Sequence, residues 1–324
     1  MTEKERFIRA LTRQPIEGRV PTFELEFYLT MESLHRVHPY HRSFYQWDQM
    51  SKREQDLHLA DIADTYLAFV RKYHHSAVLV HPNFIAMDPI LRLLYMMRER
   101  GGEDIFFLML GDPTFAIPNG EEMMDFSIRL FEQTEDCLKE AAQRVDDCTR
   151  FAEALTKHPG LVDGFALCSD YCFNSNPFFS PAMFEEFIAP FLSEIIDRYR
   201  KMGFYTIKHT DGNVMPILDQ MVDCKPDAIH SLDPQGGVDL GEVKKLYGDK
   251  VAFCGNVNCG LLQTGTDEEV AADVRRALKQ GMADGKGYIF CTSNCAYTGL
   301  PLERYEMMNR IWWEDGLYPG GTAQ

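Results

Sequence analysis

The sequence predicts a closed (β/α)8 TIM barrel, a single domain over residues 1–324 with a helical extension at its N-terminus. Strand-like apolar runs of about five residues alternate with helical patterns eight times, as in a parallel sheet. No linker rich in Pro, Gly or Ser and no block of like charge marks a domain boundary. The Gly-x-Gly-x-x-Gly turn of dinucleotide-binding sheets is absent after the first strand, which favours a closed barrel over an open sheet.

The predicted elements follow one another with short connections. Thr2 and Glu5 have the spacing of a capping box, which predicts a helix over residues 4–12. Residues 19–27 are predicted to be the first strand, with alternate side chains on opposite faces. The remaining predictions are irregular structure with short helical pieces over 30–60, strands over 77–81, 105–110, 164–168, 204–208, 227–231, 251–254 and 287–291, and helices over about 60–73, 88–100, 120–157, 214–223, 239–247, 267–283 and 301–313, with a further long helix from Ser180.

Charge and composition exclude several classes of partner. The net charge is −16, whereas nucleic acids and anionic membranes both bind basic surfaces. No apolar run approaches the roughly 20 residues of a membrane span, and the charged N-terminus lacks a signal-peptide core, so we expect a cytoplasmic protein. The nine cysteines are odd in number and are expected to be thiols, open to metal binding or reaction.

In such a barrel, the side chains that follow the strands meet at one mouth. His209 and Asp211 are predicted to lie just after the strand over residues 204–208, and Cys295 follows the last strand. An imidazole, a carboxylate and a thiolate can together hold a tetrahedral zinc ion, so these three are the candidate metal ligands. The alternative is structural: His209 and Asp211 cap local elements, and the cysteine is a small buried hydrophobic residue.

Other side chains at the predicted mouth suggest a substrate pocket. Candidate acids or orienting groups are Asp170, Asp211 and Glu26, with Tyr297 as a further proton donor, and Glu24, His81 and Asn256 are candidate binding residues. Aromatic residues flank these groups: Phe84, Phe115, Tyr171, Phe173, Phe178, Phe179 and Tyr297. They either pack under the loops or form an apolar pocket for a flat or methyl-bearing substrate.

Several segments together resemble one known family. They are residues 2–7 with 19–21, residues 178–190, Ile207-Lys-His-Thr-Asp-Gly-Asn213, residues 255–257 with 265–266, and Cys291-Thr-Ser-Asn-Cys295. The chain resembles the uroporphyrinogen decarboxylase superfamily and, within it, the corrinoid-dependent methyltransferase branch. The resemblance covers nearly the whole chain and implies the barrel independently of the strand count.

The resemblance also separates two activities. Decarboxylases of this fold bind the porphyrinogen carboxylates through an arginine-rich N-terminal segment, whereas residues 21–28 contain Glu24 and Glu26 and no arginine. These glutamates would repel a polycarboxylate, so porphyrinogen decarboxylation is set aside. The zinc methyltransferases of the family use His-x-Cys and a distal Cys. His209 and Cys295 match that pattern, but Asp211 stands at the middle position, and a carboxylate there lowers the affinity for zinc.

The resemblance therefore implies a corrinoid-dependent methyltransferase of anaerobic one-carbon metabolism. It would pass a methyl group to the cob(I)alamin of a separate corrinoid protein, with Zn2+ as the candidate metal. The aromatic mouth favours a methoxylated aromatic donor, that is, an O-demethylase, which needs a Lewis acid or proton donor at the ether oxygen. The alternatives are methyl transfer from a corrinoid protein to a thiol, and a decarboxylase-like member that binds a small acid. The oligomeric state is open, with a homodimer as one alternative.

Overall fold

Seven parallel strands, paired in sequence order, form one curled sheet in the computed structural model, which describes residues 1–83 and 86–319. Each strand-to-strand connection contains at least one helix, as parallel pairing requires. The predicted alternation of parallel strands and helices is therefore confirmed for seven strands, and the closed eight-stranded barrel is not confirmed. The strands are β1 (Ala77–Leu79), β2 (Phe106–Leu110), β3 (Gly164–Leu167), β4 (Tyr205–Thr210), β5 (Ala228–Ser231), β6 (Ala252–Cys254) and β7 (Tyr288–Ile289).

The strand expected over residues 19–27 is not confirmed, because the described chain has only isolated bridges there. Thr22 forms a parallel bridge with Phe290, just beyond β7, and its carbonyl accepts a hydrogen bond from the Ser76 amide (2.7 Å), just before β1. The carbonyl of Pro21 accepts from the Phe290 amide (2.9 Å), but Pro21 has no amide hydrogen to return. This segment thus bridges the two edge strands without a regular ladder of its own.

Thirteen α-helices surround the sheet in the part of the chain that is described. The predicted helix over 120–157 is two helices, because Gln133 between them has non-helical φ and ψ of −130° and 40°. The long helix from Ser180 is also divided, near Pro190, which cannot donate a helical hydrogen bond. The helices are α1 (Glu3–Leu11), α2 (Thr30–Leu34), α3 (Lys52–Lys72), α4 (Met87–Met97), α5 (Met123–Glu132), α6 (Thr134–Thr156), α7 (Pro181–Phe187), α8 (Ala189–Lys201), α9 (Leu218–Asp223), α10 (Leu240–Tyr247), α11 (Cys259–Thr264), α12 (Asp267–Gly281) and α13 (Leu302–Asp315).

Helix α1 covers the end of the sheet at which the strands begin. Its capping box between Thr2 and Glu5 is present as predicted. Phe7 is fully buried, with its ring centroid 5.4 Å from that of Phe23 and 4.9 Å from that of Phe106, the first residue of β2. The helix is therefore packed on the core, and the prediction of an N-terminal extension is not confirmed. No helix among the described residues is both long and apolar enough to cross a membrane.

A carboxyl group lies inside this structure, on the segment that bridges the two edges of the sheet. Glu24 is only 3% exposed, and its Oε2 accepts a hydrogen bond of 2.5 Å from the Thr292 hydroxyl. Its Oε1 has no hydrogen-bond partner among the described residues. Burial raises the pKa of Glu24 to about 8, against the smaller opposing effect of Thr292. Glu24 is therefore protonated at neutral pH.

The buried carboxyl predicts a loss of stability with rising pH. Between pH 4.5 and about 8, the unfolded chain has lost the Glu24 proton and the folded chain retains it, so rising pH favours unfolding. We expect Glu24→Gln to remove this contribution. As the pH rises from 4.5 to about 8, the free energy of unfolding of the variant minus that of the wild type should therefore increase by up to about 1.4 kcal/mol per pH unit. Urea unfolding at several pH values measures the difference. Glu17→Gln, at an exposed position, is the control. A pH-independent difference for Glu24→Gln would contradict the expectation.

Candidate functional site

Three of the predicted site residues, Asp170, His209 and Asp211, converge where β3 and β4 end. Strand β4 is longer than predicted and runs to Thr210, so His209 lies within the strand, and its Cα pairs with that of His230 in β5. Asp211 follows β4 directly, and Asp170 is in the loop after β3. Because parallel strands end at the same edge, residues distant in sequence meet here.

Asp170, His209 and Asp211 form a group that could hold a metal ion. Each offers one ligand atom, and these atoms all lie within 4.8 Å of one another. Nε2 of His209 is 3.7 Å from Oδ1 of Asp170 and 3.8 Å from Oδ1 of Asp211. These separations are too long for direct hydrogen bonds, so the three groups surround a space rather than close on one another.

Asp211 has an incompletely hydrogen-bonded carboxylate. Its Oδ2 accepts a hydrogen bond from the Asn294 side chain, while its buried Oδ1 has no partner in residues 1–83 and 86–319. Burial raises the pKa of Asp211, and the negative charge of Asp170 raises it further, against the opposing effect of His209. An orphaned carboxylate oxygen in a buried position requires a cation or a proton. The residues present therefore fit a bound cation.

The donor set resembles that of hard or borderline metal sites. Two carboxylates and one imidazole suit Zn2+ and also harder divalent ions. The sulfur of Cys295 is outside the group that the described ligand atoms form. Burial raises the pKa of the Cys295 thiol, and the neighbouring carboxylates, Glu26 first among them, raise it further. The assignment of Cys295 as a metal ligand stays a prediction, and Asp170 is the third ligand that this geometry offers.

A buried ion pair holds the loop that carries Asp170. Lys208 in β4 is 0% exposed, and its Nζ donates to Oδ2 of Asp112 (2.7 Å) and to the Ser169 carbonyl (2.8 Å). The same ammonium lies 4.0 Å from the ring centroid of Tyr171. Burial alone would raise the pKa of Asp112, but Lys208 and the hydrogen bonds to the carboxylate lower it. Sequence reasoning missed Lys208 and Asp112, although a lysine within a strand-like apolar run is itself an indication of a buried acidic partner.

A second acid–imidazole pair lies at the end of β1. Nδ1 of His81 is 2.5 Å from Oε1 of Glu26, and the Tyr28 hydroxyl donates to Oε2 of the same carboxylate. The ring of Tyr40 covers His81, with 4.4 Å between the ring centroids. The side chains of His81 and Glu26 are 25% and 18% exposed, so solvent and small molecules can reach them.

Other predicted binding residues are occupied by protein contacts. Asn256 is fully buried, donates to the Leu232 carbonyl (2.7 Å) and accepts from Arg276 (3.0 Å). Tyr171 is fully buried, with its hydroxyl 2.6 Å from that of Thr114. The hydroxyl of Tyr297 donates to Gln263 (2.8 Å). Glu24 bonds Thr292 in the interior, as described above. Their roles toward a substrate stay predictions.

Five of the seven predicted aromatic residues form one cluster that continues into helix α5: Phe115, Tyr171, Phe173, Phe178 and Phe179. Phe126 of α5 contacts Phe115, Phe178 and Phe179, with ring centroids 5.5 to 6.4 Å apart. Phe179 is fully buried, whereas Phe173 is 40% exposed. Phe179 therefore packs under the loops, as one of the two alternatives from the sequence has it, whereas Phe173 is exposed enough to contact a ligand. Phe84 lies outside the described residues.

Comparison with solved structures finds a similar fold in a methyltransferase. A methyltransferase from Methanosarcina mazei superposes with a TM-score of 0.74 at 18% identity, over 97% of this chain and 99% of that chain. A β-mannanase from the blue mussel Mytilus edulis overlaps with a TM-score of 0.48 at 9% identity, over 94% of each chain. The first similarity shows the fold, whereas the TM-score of the second is too low to support an inference.

Comparison with protein families identifies the chain. None of the curated protein sequences matches it. The family model of uroporphyrinogen decarboxylase (URO-D) matches residues 148–312, just over half of the 324 residues. The matched region contains β3 to β7 and therefore Asp170, His209 and Asp211. The chain belongs to the uroporphyrinogen decarboxylase family.

Proposed function

We propose that this protein is a methyltransferase that moves a methyl group from a small donor to the cob(I)alamin of a separate corrinoid protein. The observation that carries the proposal is the open group of Asp170, His209 and Asp211 where the strands end, in a fold similar to that of a methyltransferase. The donor we propose is a methoxylated aromatic compound, because the exposed Phe173 belongs to the aromatic cluster and its carbonyl accepts a hydrogen bond of 2.9 Å from the Asn213 amide, two residues beyond Asp211.

The reaction defines what the protein must supply. The cobalt(I) electron pair attacks the methyl carbon, a Co–C bond forms, the C–O bond breaks, and the phenolic oxygen takes up a proton. Cob(I)alamin is a strong nucleophile, so the slow event is departure of the oxygen. A cation held by Asp170, His209 and Asp211 would supply a Lewis acid. The protein's own residues orient the donor, exclude water and deliver the proton.

We assign proton delivery to the pair of Glu26 and His81. Their hydrogen bond of 2.5 Å places one proton between an imidazole and a carboxylate, and Tyr28 holds the other carboxylate oxygen. Asp170 and Asp211 are also candidate acids from the sequence, but their carboxylates lie within 4 Å of Nε2 of His209 and suit the role of ligands better. This leaves Glu26 and His81 as an acid pair that is separate from the proposed metal site.

The metal proposal predicts a ranking of variants. Asp170→Asn and His209→Ala should each reduce bound zinc, because each removes a charge or a ligand atom from the group. Cys295→Ser should retain it. Elemental analysis of the purified proteins, with circular dichroism as the control for folding, measures this. If Cys295→Ser loses zinc and Asp170→Asn keeps it, the ligand set is instead the one predicted from the sequence.

The partner proposal predicts that the protein turns nothing over alone. Cobalamin is too large for a closed pocket, so its carrier must dock over the mouth, and the methyl group should pass directly to cobalt. Addition of a reduced corrinoid protein, or of free cob(I)alamin at high concentration, should yield methylcobalt and the free phenol in equal amounts. Absorbance of the corrin and chromatography of the phenol measure both products. Demethylation without any corrinoid would exclude the proposal, and methylation of an added thiol would favour the reverse-direction alternative.

The acid proposal predicts a dependence on the leaving group. Glu26→Gln should lower the rate on methyl ethers by about a hundredfold or more, the scale of lost general-acid help, without loss of metal. The same variant should change the rate much less for a methylsulfonium donor, whose leaving group is neutral. Tyr297→Phe is the matched comparison. If Glu26→Gln retains ether activity and Tyr297→Phe loses it, the tyrosine is the acid.

A further inference from the structure

Two buried imidazoles contact each other directly beneath the proposed metal site. Nδ1 of His209 and Nδ1 of His230 are 2.7 Å apart, and the ring centroids are 4.9 Å apart. The two residues are Cα partners in the β4–β5 ladder, so the backbone fixes their approach. His209 is 6% exposed and His230 is 0% exposed. Water therefore does not compete for the bond.

A hydrogen bond between two imidazole nitrogens allows only two arrangements. If His230 donates, Nδ1 of His209 is bare, and the proton of a neutral His209 ring is on Nε2. A protonated Nε2 cannot bind a metal ion. If His230 accepts, Nδ1 of His209 carries the proton, and the lone pair of Nε2 faces Asp170 and Asp211 at 3.7 and 3.8 Å. Only the second arrangement presents three ligand atoms to one cation.

The contact with His209 is the one hydrogen bond that the side chain of His230 makes among the described residues. Nε2 of His230 has no hydrogen-bond partner in that part of the chain. On its other side, the ring packs edge to face on Phe23, with 5.9 Å between centroids. His230 therefore has a single strong polar contact, and that contact is His209.

We infer that His230 is a positioning residue: it accepts the Nδ1–H of His209 and so fixes the ring with Nε2 as the ligand nitrogen. The inference rests on the proposed metal site. In metal-binding histidines, the N–H of the second ring nitrogen commonly donates a hydrogen bond to a carboxylate or carbonyl oxygen. Loss of that partner typically lowers the affinity for the metal 10- to 100-fold. In this protein the imidazole of His230, from the adjacent strand β5, takes the place of that oxygen, and its ring is fully buried.

Two substitutions separate positioning from packing. His230→Phe keeps a buried ring and removes the acceptor. His230→Asn loses the ring but offers an oxygen acceptor at about the position of Nδ1. The affinity for Zn2+, measured by competition with a chromophoric chelator, should fall about 10- to 100-fold in His230→Phe and by much less in His230→Asn. Thermal unfolding should show the opposite order, because the smaller side chain leaves a cavity.

Nitrogen-15 spectra of the histidine rings give a second measurement. In the Zn2+-loaded wild type, His209 should carry its proton on Nδ1, and that signal should be absent in His209→Ala. The inference is overturned if His230→Phe binds Zn2+ like the wild type, if affinity follows thermal stability across the two variants, or if the wild type binds no Zn2+. The predicted affinity pattern without any methyl transfer to corrinoid would support the inference and reject the proposed function.

Discussion

The buried ion pair of Lys208 and Asp112 is the interaction on which the arrangement of the site depends. A charge with 0% exposure is costly unless it is paired and fully hydrogen-bonded, and Lys208 meets that condition only when Asp112 and the Ser169 carbonyl are both in place. Asp112 follows β2, Ser169 follows β3, and Lys208 is in β4. The ion pair therefore ties three strand ends together, and the loop that continues to Asp170 is held beside His209.

The group of Asp170, His209 and Asp211 combines negative charge with incomplete hydrogen bonding. Burial raises the pKa of both Asp211 and Asp233, and a second carboxylate nearby adds to the effect at Asp211. Oδ1 of Asp211, directly after β4, and Nε2 of His230 in β5 are buried atoms without a hydrogen-bond partner among the described residues. Buried polar groups are normally satisfied, so the unpartnered oxygen of Asp211 supports the proposal that a cation binds here.

The division of labour between the two acidic groups follows from their exposure and partners. Asp211 and His209 are held by the sheet and suit fixed ligands. Glu26 and His81 are hydrogen-bonded to each other, the Tyr28 hydroxyl donates to Glu26, and the Tyr40 ring lies against His81. In the proposed function, proton transfer and metal binding are therefore assigned to different residues, and each can be tested by its own variants.

The sequence by itself determined the order and parallel pairing of seven strands, the family and the position of Asp211 directly after a strand, because apolar periodicity and local motifs are encoded by neighbouring residues. Tertiary structure decided the rest. Four features depend on the register between strands: the bridging of the two edge strands by residues 21–23, the pairing of Lys208 with Asp112, the placement of Asp170 and the contact of His209 with His230. Register is set by packing of the whole sheet. Residues 21 positions apart, such as His209 and His230, or 96 positions apart, such as Lys208 and Asp112, carry no local pattern that specifies it.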